Sequence, residues 1–348
     1  WDLSYIKFKS GKKYLSISGN GTYEISSSNA LIGYPWKDLT FSSDYSVTVH
    51  GKSSAYLLKS ISGHRQYFTS DGKLIREADN YGNTIDYQYT NVSPYGEVLT
   101  KVTDALQNTI NIAYTTSQVT ITSGDRTVIY NKAIAPGDKE FLGSVTDAGG
   151  RTTHYGYHIA NSNYNLLGSG FADGVNYSLL LDTVYHPTGA RTEYTYGTTK
   201  QLLGQKASAD TWYVTSREDI VDYTDGPQER GNRLDFTHTA FPGSTFGIDT
   251  SFNSIVSDGL KQVTFTYKKD YIDQNTPAVY YNTNTVEQAG TAKRTTTMVY
   301  DETRRLPVPN QTTTQHVNGT SNSEIVTTSA SYDDYGNILT ATSPLGVT

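Results

Sequence analysis

Apolar and polar positions alternate with period two through most of the chain. Ile85, Tyr87 and Tyr89 are separated by Asp86 and Gln88. One face of a strand therefore carries an isoleucine and two tyrosines, and the other carries polar groups. The residues just before them suit a turn. Gly82-Asn83 tolerates φ > 0, and the Asp79 carboxylate can accept from backbone N–H groups two or three residues on. Asp79 to Tyr89 reads as one turn feeding one strand. Other stretches read as hairpins: Leu15 and Ile17 run into Asn20-Gly21 and return through Tyr23 and Ile25, and similar bends fall at His50-Gly51 and around Ser123-Gly124-Asp125. No run of apolar residues keeps helical spacing over three turns. Thr215 to Tyr223 is the best short helix candidate and fits a loop and strand equally well. The pattern predicts an all-β, mostly antiparallel fold with short connections and helix below ~10%.

The turn-and-strand unit returns in altered form. Asp104 to Tyr114 keeps the Asp, the Asn, the alternation and the final Tyr. Asp147 to Tyr157 keeps Asp147, Gly150, Tyr155 and Tyr157. His186 to Tyr196 keeps Gly189, Tyr194 and Tyr196 with His186 at the Asp position, and Ser257 to Tyr267 keeps the aromatic pair Phe265 and Tyr267. A sister form runs Tyr332-Asp333-Asp334-Tyr335-Gly336-Asn337-Ile338-Leu339, with an echo at Tyr300-Asp301 followed by Arg305-Leu306-Pro307. The first four starts lie 25, 43 and 39 residues apart, an irregular spacing that mostly suits one supersecondary unit per copy. A single copy cannot bury its own face, so neighbours must stack.

Composition sharpens this picture. Of 348 residues, 29 are Tyr, 10 Phe and one Met, which suits half-buried pleated surface better than a helical core. There is no cysteine, which excludes disulfides and thiolate chemistry and weakly favours a bacterial surface protein. No stretch of 18 apolar residues is present to span a membrane. The net charge of −6, with basic residues read as unclustered, argues against nucleic acid as the main partner. The chain opens on Trp1 rather than Met and reads as a piece of a longer product.

Candidate chemistry is sparse. Asp79, Asp104, Asp147 and Asp333 read as turn residues far more readily than as metal ligands. Tyr87, Tyr89, Tyr155, Tyr157, Tyr194 and Tyr196 read as sheet packing, with an aromatic platform for glycan as the minor alternative. Trp1, Trp36 and Trp212 stand singly and fill gaps. His154 and His158 are four apart on a strand, about 13 Å from each other, too far to share a zinc ion. No Gly-x-Ser-x-Gly, phosphate loop or His-Glu-x-x-His motif occurs. Asp270 and Asp273 fall on opposite strand faces, whereas a glycosidase needs two carboxylates across a sugar. The sequence thus nominates no catalytic, cofactor-binding or metal residue, and the expectation is a protein that is not an enzyme. Sequons begin at Asn20, Asn91, Asn176, Asn310 and Asn318 and read as chance in a Thr- and Ser-rich chain.

The Tyr-Asp-x-x-Gly-Asn units, the Gly-x-x-Thr-x-Tyr-x-Tyr ends and the lead-in from Arg65 to Asn83 resemble the YD repeats of the RHS/YD-repeat superfamily. That superfamily spans bacterial RHS and wall-associated proteins, the B and C components of insecticidal Tc toxins, and animal teneurins. The resemblance is strongest over 54–200 and 295–348 and weak over 1–50 and 201–290. It implies a curved sheet ribbon of YD-repeat hairpins forming part of a spiral shell. The expected organisation is a hairpin lead-in at 1–53, repeat sheet at 54–200, degenerate repeats or an insertion at 201–294, and repeat sheet at 295–348 continuing past the chain end. The repeat residues would be Asp79, Gly82, Asn83, Tyr87, Tyr89, Asp104, Tyr114, Asp147, Gly150, Tyr155, Tyr157, Gly189, Tyr194, Tyr196, Tyr332, Asp333, Gly336 and Asn337. The implied function is a structural wall around a C-terminal toxin or effector domain of a secreted or surface-exposed bacterial protein. Its partners would be the rest of the polypeptide and that cargo, with no cofactor. Ser343-Pro344-Leu345-Gly346 has Ser where the self-cleavage motif of many relatives has Asp, so self-cleavage is not expected. The alternative is a surface module that binds carbohydrate or a cell-surface protein through exposed aromatics.

Overall fold

The computed structural model describes residues 3–135, 139–166, 174–202, 207–223, 226–239, 250–270, 279–319 and 321–345. Among them there is no helix. The strands, in chain order, are β1 (Tyr5–Lys9), β2 (Lys12–Ile17), β3 (Gly21–Ile25), β4 (Leu31–Ile32), β5 (Leu39–Ser43), β6 (Thr48–Val49), β7 (Lys52–Ser53), β8 (Tyr56–Ser60), β9 (Arg65–Phe68), β10 (Leu74–Ala78), β11 (Thr84–Val92), β12 (Gly96–Thr103), β13 (Thr109–Tyr114) and β14 (Gln118–Ser123). They continue as β15 (Arg126–Ala135), β16 (Lys139–Thr146), β17 (Thr152–Leu166), β18 (Gly174–Tyr185), β19 (Ala190–Leu202), β20 (Ala207–Val221), β21 (Glu229–His238), β22 (Thr250–Ser257), β23 (Lys261–Asp270), β24 (Val279–Ala289), β25 (Ala292–Tyr300), β26 (Pro309–Asn318), β27 (Ser321–Tyr332) and β28 (Ile338–Thr342). The all-β antiparallel expectation is met.

The chain divides into two compact units. The first is Trp1–Thr152 with Asp334–Asn337, and the second is Thr153–Asp333 with Ile338–Thr348. In the first, β5 pairs with β8, and from β8 to β16 each strand pairs antiparallel with the next. A separate four-stranded sheet, β1-β2-β3-β4, and the small β6-β7 ribbon complete this unit. In the second, strands from β17 to β28 follow the same next-neighbour order, with one added pairing of β17 to β20.

The cores explain why the first unit holds together. Ile6, Leu15 and Ile25 of the four-stranded sheet share one buried cluster with Phe41, Leu58, Phe68, Leu74, Tyr87 and Val102. The opposite face carries a smaller cluster of Val49, Tyr67, Ile75 and Ala78, so β9 and β10 are covered on both sides. Gly72 fixes the seam. Ile6 N–H donates to Gly72 O at 2.9 Å. A Cβ on Gly72, at φ +91°, would stand 2.0 Å from the Ile6 carbonyl oxygen.

Four expectations need correction. Thr215 to Tyr223 is no helix but falls mostly in β20, where β19 and β21 supply ladder partners on both sides. The β2-β3 hairpin turns on Gly19, at φ +69°, rather than on Asn20-Gly21, because Gly21 already pairs with Ile17. The Asp79 carboxylate reaches further than expected, to the N–H four residues on as well as the one two residues on. Basic residues do cluster: the β1-β2 hairpin sets Lys9 opposite Lys12 beside Lys7 and Lys13, since a two-residue turn folds separated lysines together.

Candidate functional site

The repeat residues form two recurring backbone devices. The first is a five-residue loop. Asp79 N–H donates to Asn83 O at 3.1 Å. The Asp79 carboxylate accepts from Tyr81 N at 2.9 Å, Asn83 N at 2.8 Å and Asn83 Nδ2 at 2.7 Å. Asp104 repeats this with Leu106 N and Asn108, and Asp147 with Gly149 N and Arg151. These bonds hold all three carboxyls below the usual range, led by the Asn83 and Asn108 amides and the Arg151 N–H. The fourth loop position has φ > 0: Gly82 (+92°), Gly150 (+77°), Gly189 (+87°), Gly336 (+87°) and, without a glycine, Gln107 (+68°). At His186, the main-chain bonds to Ala190 and Gly189 persist while the imidazole meets Thr192 Oγ1 at 2.9 Å.

The loop has three further copies that the sequence reading missed, starting at Ser26, Ser60 and Thr69. Their hydroxyls accept from Ala30 N, His64 N and Lys73 N at 2.9, 3.1 and 3.0 Å. A small hydroxyl or Asp followed three residues later by Gly or Asn was the signal that could have found them.

The second device is the terminal tyrosine with a bulge. Pairing between β10 and β11 covers three residue pairs and stops. Just beyond, Tyr89 Oη donates to Leu74 O at 2.9 Å. Tyr114 does the same to Leu99 O at 2.9 Å, Tyr196 to Leu181 O at 2.5 Å, Tyr300 to Asn282 O at 3.0 Å and Tyr332 to Pro309 O at 3.5 Å. Each ring therefore supplies a donor where the ladder to the preceding strand has ended. On the following strand, register slips by one residue just before Tyr89, Tyr157, Tyr196, Tyr267, Tyr300 and Tyr332. Thr100 and Thr283 are two of the extra residues, and their hydroxyls reach Gln88 O and Thr266 O at 3.3 Å. Tyr114 has no such slip. A bulge bends its strand and increases twist.

The remaining repeat residues are placed as follows. Tyr87 is buried in the main cluster of the first unit. Tyr155, Tyr157 and Tyr194 are half-buried on β17 and β19. Tyr332 and Asp333 give their carbonyls to Arg304, each at 2.8 Å. Gly336 and Asn337 belong to the first unit, where Gly336 faces the Trp36 indole. The structure brings these residues together within each repeat, in loops and ladder ends, and not into one shared site. Asp270 is buried and held by Arg305 Nε at 2.9 Å, and Asp273 lies outside the described residues. Among the described residues no group of three or more His, Asp or Glu is placed to hold a metal ion.

One open surface stands out in the first unit. Ile112 pairs with Ile121, and Tyr114 with Val119, which pairs with Tyr130. Directly opposed residues share a face, so these side chains line one shallow groove of about 650 Å³ with Lys132, Glu140, Phe141 and Leu142. At its rim, Lys132 Nζ bonds Glu140 at 2.8 Å and lies 3.9 Å from the Tyr95 ring centroid. Tyr95 Oη donates to Glu140 Oε1 at 3.0 Å. The Lys132 hydrogen bond holds the Glu140 carboxyl below its usual range.

No family model and no curated protein matches the chain. Among solved structures, one similar chain comes from the crystal structure of TcdB2-TccC3, with 12% identity and a TM-score of 0.21 over 95% of this chain. This chain spans 19% of that one.

Proposed function

We propose that this chain is a structural segment of a YD-repeat wall, with no catalysis of its own, in a larger secreted or surface-exposed bacterial protein that encloses a C-terminal cargo domain. The observation that carries this reading is the use to which the repeat side chains are put. The aspartates close loops and the terminal tyrosines satisfy carbonyls at ladder ends. Such groups build a sheet, and a sheet made of repeats extends by adding more. Limited proteolysis of the whole polypeptide tests the proposal. A domain following the repeats should resist protease until denaturant opens the wall. Cleavage of that domain at the rate of an exposed linker would overturn the reading.

The groove beside Tyr114 and Tyr130 favours a second reading, a carbohydrate-binding module. Aromatic rings and a Lys–Glu pair suit a sugar's apolar face and its hydroxyls. Micromolar binding on a glycan array, lost on Tyr130→Ala, would support it. An empty array would leave the wall reading alone.

A further inference from the structure

The first unit is built from Trp1–Thr152 except for four residues, Asp334–Asn337, taken from far along the chain. They belong to the repeat loop Asp333-Asp334-Tyr335-Gly336-Asn337, whose fourth position is Gly336 at φ +87°. The second position sets this loop apart. The other copies carry Ser27, Ile61, Ser70, Asn80, Ala105, Ala148 or Pro187 there, all uncharged, and this one carries Asp334.

The loop rests on the segment between β4 and β5, and that seat has anchors of its own. Tyr34 N–H donates to Leu31 O at 3.3 Å, and Tyr34 Oη donates to Asp38 Oδ1 at 2.8 Å. The Tyr34 ring meets the Tyr23 ring edge to face, with centroids 5.1 Å apart. Asp38 O accepts from Ile61 N–H at 2.7 Å. Trp36 and Lys37 stand between these anchors. Lys37 N–H donates to Asp334 O at 2.6 Å, and the Lys37 ammonium pairs with the Asp334 carboxylate. Gly336 lies against the Trp36 indole, where an added Cβ would stand 3.5 Å from the ring.

These contacts are of a kind that lets go. The Lys37 and Asp334 side chains are 67% and 50% exposed, so their attraction is weak and screened by salt. Asp334, Tyr335, Gly336 and Asn337 are all exposed, and none belongs to either buried cluster of the first unit. Lifting the loop uncovers part of one indole and opens neither cluster, so it needs far less free energy than unfolding the unit. We propose that Asp334–Asn337 is a salt-released latch, which leaves the Trp36–Lys37 seat while the rest of the first unit stays folded. Asp334 confers the salt response, since an uncharged residue at that position removes the attraction that salt screens. The inference does not rest on the wall reading, which holds for a fixed loop as well as for a moving one.

Amide hydrogen exchange of the whole chain tests the latch. The Lys37 amide reports the docked loop, because Asp334 O accepts its hydrogen, and the Ile61 amide reports the seat, because it is bonded to Asp38 O. Sodium chloride raised from about 0.05 M to about 1 M shortens the Debye length to about 3 Å. Over that range the Lys37 amide, protected at low salt, should exchange about threefold faster, the factor for losing an exposed ion pair, while Ile61 holds its rate. Asp334→Asn should give the faster Lys37 rate already at low salt and abolish the salt effect. Exchanging the two charges, Lys37→Asp with Asp334→Lys, should restore both protection and salt effect. Neither variant should alter exchange at Leu58 or Val102 in the core. A Lys37 amide that exchanges only as slowly as Leu58 at every salt concentration would mean a loop fixed to the core. An unprotected Lys37 amide at low salt would mean an empty seat. A Lys37 rate indifferent to salt and to Asp334→Asn, or an Ile61 rate that rises in step with Lys37, would equally overturn the proposal.

Discussion

At the residue scale, the fourth position of the recurring loop decides stability through backbone conformation alone. Gly82 sits at φ +92° with open space around it, so Gly82→Val should cost about 1–2 kcal/mol from strain without any clash. Gln107 occupies the same position without glycine's freedom, and Gln107→Gly should raise stability by about 0.5–1 kcal/mol. Gly72→Ala should be worse than either, at about 2 kcal/mol or more, because its Cβ would meet the Ile6 carbonyl as well as an unfavourable φ. Denaturant midpoints at constant m-value check all three, and a tolerated Gly72→Ala would mean the β1 seam is looser than described. The loop carboxylates add a pH dependence. Folded Asp79, Asp104 and Asp147 have lowered pKa values, so their contribution is full above the unfolded value of about 3.8 and is lost as pH falls through the lower folded values. The midpoint should therefore drop on acidification below pH ~4. An Asp79→Asn, Asp104→Asn, Asp147→Asn triple variant should show a shallower drop, and an unaltered slope would remove these carboxylates as the cause.

At the element scale, the tyrosine at each ladder end supplies a donor that no backbone group provides. Tyr89→Phe and Tyr196→Phe keep the ring and delete only the bond to Leu74 O or Leu181 O, so each should cost about 1 kcal/mol. A Phe variant with an unchanged midpoint would show that water replaces the hydroxyl. This scale also shows what the sequence could and could not convey. Alternation such as Ile85-Asp86-Tyr87-Gln88-Tyr89 encodes a strand and its faces directly. The turn at Gly82-Asn83 is equally explicit, because few residues accept φ > 0. The bulges are not legible, since the extra residues are Thr100, Thr215 and Thr283 but also Asp182, Asn310 and Leu339, and threonine is just as common at strand positions without a bulge. A bulge depends on how two strands meet, and neither strand states it alone. The Ser60 and Thr69 loops were hidden for another reason: a hydroxyl replaces the carboxylate while the main-chain bonds stay the same.

At the scale of the whole molecule, apolar burial is unevenly divided. Fifteen of the buried hydrophobic side chains among the described residues belong to the first unit, and only Ala160, Ile220, Tyr281 and Leu306 belong to the second. Residues 1–53 read from sequence as a simple lead-in, yet Ile6, Leu15 and Ile25 cover the face that β8 to β12 present. That role was not legible because β1 and β2 alternate like any other hairpin, and their buried residues share a cluster with residues far along the chain, from Phe41 to Val102. The second unit rests instead on long ladders with threonine facing threonine, as in Thr296 opposite Thr314 and Thr313 opposite Thr327, and such pairs add little apolar burial. Local opening free energy follows buried contacts, so native-state hydrogen exchange should separate the two units. The amides of Leu58, Gln66 and Val102 should exchange slowest, and those of β25 and β26 at least about tenfold faster. Replacing Leu15 by Ala, which leaves a cavity against the sheet worth about 2–5 kcal/mol, should speed exchange at Leu58 and Val102 and leave β25 and β26 unchanged. Uniform acceleration throughout the chain would instead mean that both units open in a single cooperative step, with the four-stranded sheet holding all of it closed.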